Sequence, residues 1–120
     1  MSENLSKNKH FLLLLLNTSK KQMYALLDSV DKNQSLALSE IFANLLHLPL
    51  SKDAHRLLKV HRRLVERLSS KKTSYSKKCF LLRRHFNAVR HLLFAIKENL
   101  ELKIKDRQVQ PLVIVRNVAR

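Results

Sequence analysis

Residues 79–100 read CFLLRRHFNAVRHLLFAIKENL, and one spacing runs through them. Cys79, Leu82, Phe86, Val89, Leu93, Ile96 and Leu100 follow one another at steps of three, four, three, four, three and four. A helix repeats about every 3.6 residues, so these side chains fall on one apolar seam. Arg83, Arg90 and Lys97 recur every seven residues beside it, a spacing that fits either the flank of a dimer interface or, the favoured reading, the rim of a core. Such a seam has to be covered by other helices. The pattern predicts a long C-terminal helix, capped at Thr73 or Ser74 and reaching to about residue 105, inside an all-α protein.

Composition points the same way. The chain has 120 residues, 45% of them apolar, which suits one domain around one core. It contains no glycine, and only Pro49 and Pro111 interrupt it. Lack of glycine excludes the loops that cradle phosphates and dinucleotides, because those need a backbone without Cβ next to the ligand. It also argues against a turn-rich β fold, where glycine usually supplies positive φ angles.

Four more helices are expected upstream. The first covers about residues 7–16, and the second starts at Ser19, where S-K-K-Q fits a capping box. A third runs from Ser35 to Leu48 and is ended by Pro49. A fourth is capped by Ser51 and continues to Leu68 or Ser69. The expected architecture is a compact helical bundle of about five helices. Residues 1–105 form a single helical domain, and residues 106–120 form a short apolar and basic tail containing PLVIV.

The net charge of +15 is unevenly placed. Residues 51–97 carry fourteen basic and two acidic groups, whereas residues 1–50 carry five and four. On a helix over residues 52–68, Lys52, Arg56, Lys59, Arg63 and Arg67 step by four, three, four and four and share an arc of about 80°. Ala54, Leu57, Leu64, Val65 and Leu68 face the other way, around His61. Solvated helices usually interleave Glu with Lys, because like charges one turn apart repel. Here the cations continue instead into Lys71, Lys72, Lys77 and Lys78, which points to a polyanionic partner.

Double-stranded DNA offers phosphates at a matching density, and affinity then comes from released counterions. The basic face has no Asn or Gln to read adenine edges, and Tyr75 is the only aromatic residue of the 52–78 segment. Backbone binding without sequence preference is therefore expected. The candidate contacts are Lys52, Arg56, Lys59, Arg63, Arg67, Lys71, Lys72, Lys77 and Lys78. The alternative is a helical structural or adaptor protein whose basic face meets an acidic protein or a membrane surface. In either case Leu82, Phe86, Val89, Leu93 and Ile96 are a candidate self-association surface.

No catalytic constellation is visible, and no cofactor is expected. His55 and His61, like His85 and His91, stand six residues apart and so on different helix faces. No HExxH or Cys/His cluster exists, so no metal site is expected. The lone Cys79 cannot form an internal disulfide, and the apolar run Phe11 to Leu16 is too short to span a membrane. An intracellular, non-secreted protein without a transmembrane segment is expected.

Three segments carry a resemblance: KKQMYALLDSV (20–30), LSEIFANLLHLPLS (38–51) and HRRLVERLSSKKTSYSKKCFLL (61–82). Together they resemble an uncharacterised family of small basic proteins encoded in Polinton-type (Maverick, adintovirus-like) DNA elements and related animal viruses. The resemblance covers about residues 11–82. It rests on Gln22, Leu26, Leu27, Glu40, Asn44, Leu45, Pro49, Leu50 and Ser51, then on Leu57, His61, Leu64, Leu68, Lys71, Lys72, Ser74, Lys77 and Lys78. Members carry a Gly before the Pro-Leu step and a Gly-Gly pair after the basic run; this chain has neither. The resemblance implies a viral or transposon setting, a location in the host nucleus or the virion, and a role beside packaged DNA like that of adenoviral core proteins.

Overall fold

The computed structural model describes residues 3–47 and 50–101, and among these every regular element is a helix. The helices are α1 (Glu3–Lys7), α2 (Lys9–Leu16), α3 (Lys20–Asp28), α4 (Lys32–Leu45), α5 (Lys52–Val60), α6 (Arg62–Ser69), α7 (Tyr75–Arg84) and α8 (Phe86–Ala95). Residues 97–101 are helical as well.

The expected count of about five helices and the single long C-terminal helix need correction. Several boundaries are bends within a rod rather than loops. At His61 the backbone turns to φ −106° and ψ 23°, and at His85 to φ −110° and ψ 35°. Hydrogen bonding carries across both: the His61 amide donates to the Leu57 carbonyl (3.1 Å) and that of Val65 to His61 (3.1 Å). The His85 amide donates to Leu81 (2.9 Å) and that of Val89 to His85 (3.0 Å). Asn8 bends the first rod in the same way, and its Nδ2 donates to the Asn4 carbonyl at 2.8 Å, competing with the main-chain ladder. A further break follows at Ile96.

Packing explains the bends at His61 and His85. α5 lies on α8, whereas α6 lies on α4 and α7. α7 likewise meets α3, α4 and α6 before α8 turns to α3 and α5. A straight rod could not follow both sets of partners, and histidine resists bending weakly because its helix propensity is low.

α4 is the hub, in contact with α1, α6 and α7. Its Leu38, Ile41, Phe42 and Leu45 are buried with Leu12, Leu15 and Leu16 of α2, Val65 and Leu68 of α6, and Leu82, Val89, Leu92 and Leu93. Ser35 and Ser39 are also buried on α4, their small side chains on the side of the helix that faces the rest of the molecule.

Local signals fix the starts of the helices. Ser19, Ser51 and Ser74 each accept a hydrogen bond from the amide three residues on, at 3.2 Å in every case. α4 begins three residues earlier than expected because Asp31 and Gln34 form a reciprocal capping box, with distances of 2.7 and 3.0 Å. It ends at Leu45, followed by a turn in which the His47 amide bonds the Asn44 carbonyl (3.0 Å). Leu48 and Pro49, the expected stop, lie outside the described residues, as does the expected tail at 106–120. No helix among the described residues is long and apolar enough to cross a membrane.

Candidate nucleic-acid interface

The back of the basic segment is anchored first. Ala54 and Leu58 of α5 and Val65 and Leu68 of α6 are buried, with Leu57 and Leu64 half-buried against the core. Leu58 is an anchor that the spacing of the cations did not single out, although it lies one turn from Ala54. Fixing this side leaves the opposite one in water.

That opposite side carries Lys52, Arg56 and Lys59 on α5, and Arg63 and Arg67 on α6, all exposed. Hydrogen bonding across His61 keeps the two helices in register, so the bend does not bury any of the five. Among the described residues none of them forms a salt bridge. Pairs between described residues include Lys7 with Glu3 (3.0 Å), Arg62 with Glu66 (3.9 Å) and Arg83 with Asp28 (3.6 Å). Glu66 thus pairs with Arg62 beside the ridge rather than with Arg63 on it. At 3.9 Å, with both side chains mostly exposed, that pair contributes between about 0 and 1 kcal/mol.

Beyond α6, Lys71 and Lys72 stand exposed on the connection to α7. Lys77 on α7 is exposed too, its Nζ 4.9 Å from the centre of the Phe80 ring. Eight of the nine expected contacts are therefore open to solvent.

Lys78, expected as a ninth contact, is the exception. It is only 6% exposed, and its Nζ donates to Ser39 Oγ at 2.7 Å, inside the molecule. Burial lowers its pKa from the ordinary 10.5. The signal was present in the sequence: Lys78 lies four residues before Leu82, one turn away on the buried side of the helix. It cannot reach a phosphate backbone lying on the ridge.

The proposed self-association seam is likewise consumed. Leu82, Phe86, Val89, Leu93 and Ile96 are all buried in the chain's own core, so they offer no surface to a second copy. Arg83 pairs with Asp28, and the Arg90 guanidinium stacks over Phe94 at 4.6 Å, so both rim that core.

A second cationic feature went unread in the sequence. His61, Arg83, Arg84, His85 and His91 line a shallow groove between the bend at His61 and that at His85. His61 is more than twenty residues from the other four, and the packing of α5 on α8 brings it to them. Among the described residues no group of three or more His, Cys, Asp or Glu side chains could hold a metal ion.

Comparison with known protein families, with characterised proteins and with solved structures finds no match to this chain. The functional reading therefore rests on the residues themselves.

Proposed function

We propose that this protein binds nucleic acid, double-stranded DNA above all, through the phosphate backbone and with little sequence preference. The observation that carries the reading is the ridge of exposed cations along α5, α6 and the start of α7, whose members are not neutralised by any described carboxylate. Lys52, Arg56, Lys59, Arg63, Arg67, Lys71, Lys72 and Lys77 supply the phosphate contacts. Each contact releases condensed counterions, which is where the affinity comes from. The apolar backs of α5 and α6 only position them.

The finer setting is a virion core or packaging component of a viral or transposon element, as the family resemblance implies. Phosphate-backbone binding suits that task, because a packaged genome has to be held along its length regardless of sequence.

Reversing Arg56, Lys59, Arg63 and Arg67 to Glu tests the assignment. All four side chains are exposed, so the variant is expected to keep its helical circular dichroism and its melting temperature within a few degrees. It is expected to lose the mobility shift of duplex DNA at moderate salt. A folded variant that still shifts the duplex overturns the proposal. Retention of binding to an acidic protein, with none to DNA in the unmodified chain, favours the adaptor reading instead.

A further inference from the structure

Lys78 raises a problem that the ridge does not solve. An ammonium removed from water is costly unless a counter-charge and a full set of hydrogen bonds accompany it. Among the described residues Lys78 has one partner, the neutral hydroxyl of Ser39, for three N–H donors. On its core side it shares a small void with Leu38, Phe42, Leu68 and Leu82, where the buried Ser35 and Ser39 hydroxyls are the polar groups and no charge is present. On the other side it lines an open-mouthed cavity of about 370 Å³ between α4 and the α6–α7 connection.

Most of that cavity's wall is apolar, Leu36 and Ala43 included, and its polar part is made largely of donors. Ser39 accepts from Lys78, which leaves its own O–H to donate. Thr73 adds another hydroxyl, and Lys32 and Lys71 bring two exposed ammonium groups to the same wall. Glu40, which has an interaction of its own, is the one carboxylate among the lining residues. Three cations and several hydroxyls around one space call for a ligand rich in acceptor oxygens and negatively charged. The volume suits a small ligand, at the lower end of the range of such pockets, roughly 300 to 1,000 Å³.

We propose that this cavity is a binding site for a phosphate group, with Lys78 and Ser39 at its floor and Lys32, Lys71 and Thr73 closing around it. The phosphate supplies the counter-charge that Lys78 lacks, and the two unused N–H groups of Lys78 point to its oxygens. The group is either free phosphate or the terminal phosphate of a nucleic acid strand; both present the same oxyanion. Lys71 belongs to the exposed ridge as well, whereas Lys78, Ser39, Lys32 and Thr73 do not, so a test that follows Lys78 separates this site from backbone binding.

The test follows the Lys78 side chain itself by NMR in the full chain, with its Cε signal assigned through bonds from the backbone. The protein is titrated with base in inorganic phosphate and in sodium chloride at matched ionic strength. The expected result is a saturable phosphate effect that moves the Lys78 titration to higher pH. Calorimetry is expected to show phosphate binding roughly tenfold or more weaker for Lys78→Met, the size of losing a hydrogen bond to a charged group. The double variant Arg56→Glu, Arg63→Glu is expected to bind phosphate as the unmodified chain does. A short oligonucleotide with a 5′-phosphate, compared with its 5′-hydroxyl twin, separates the two sources. A response to the phosphorylated strand alone assigns strand ends, and a response to inorganic phosphate assigns the free ion. Identical Lys78 titrations in phosphate, chloride and both oligonucleotides overturn the site, whether or not Lys78→Met folds.

Discussion

Lys78 binds its proton less tightly than a free lysine because the folded chain withdraws its ammonium from water. The consequence for stability has a definite sign. The unfolded chain holds that proton up to about 10.5, whereas the folded chain releases it earlier, so between the two the unfolded state carries more protons. Stability should therefore climb as pH rises through the window just below 10.5. Urea denaturation at stepped pH checks this: the unmodified chain should gain stability across that window, and Lys78→Met should lack that gain. At neutral pH the methionine, which keeps the stem and drops the charge, should be more stable by roughly 1 kcal/mol. Tyr75 moves upward for a different reason. The neighbouring Cys79 thiol comes first and burial second, and together they raise the phenol above its ordinary 10.0. Its hydroxyl also donates to the Val30 carbonyl at 2.5 Å. Replacing Cys79 by Ala should lower the midpoint of the Tyr75 phenolate absorbance; an unmoved midpoint would remove the thiol as the main cause.

Each helix shows how local chemistry and tertiary packing share the work. Ser51 satisfies the Ala54 amide at the start of α5, and an alanine there should cost about 1 kcal/mol, read as a lower urea midpoint. The caps at Ser19, Ser51 and Ser74 were legible in the sequence because they depend on neighbours three residues away. The cap at Asp31 was equally local, but the apolar run beginning at Ser35 drew the expected boundary past it. The cationic ridge was legible because its steps of four, three, four and four are a property of one helix. Its continuation was only half legible. Lys77 and Lys78 look alike in a string of charges, yet the turn that exposes one buries the other next to Leu82. The bends at His61 and His85 could not be read at all. They arise where successive halves of one rod pack on different partners, and no spacing within the rod records that.

At the scale of the whole molecule, one core does two things. It fixes the leucine backs of α5 and α6, and it absorbs the seam of residues 82–96 that was expected to join two copies. α4 holds this together, and Phe42 in its last turn is fully buried. Phe42→Ala should cost about 3 to 5 kcal/mol, a large part of the roughly 5 to 15 kcal/mol typical of a domain. Thermal unfolding should register this as a drop of many degrees, with DNA binding lost only as the fold is lost. All-α character followed from the missing glycine and the helical periodicities; which helices touch did not, because contacts such as that of α5 with α8 join residues more than twenty-five apart in sequence.

The most direct measurement is duplex DNA binding titrated over a series of salt concentrations, with the unmodified chain. If six to eight of the eight exposed cations meet phosphates, the logarithm of affinity should fall against the logarithm of salt with a slope of roughly −5 to −7. Sequence changes in the duplex should leave that line in place. A slope near zero, or no binding even at low salt, would contradict a grip built on phosphate charge.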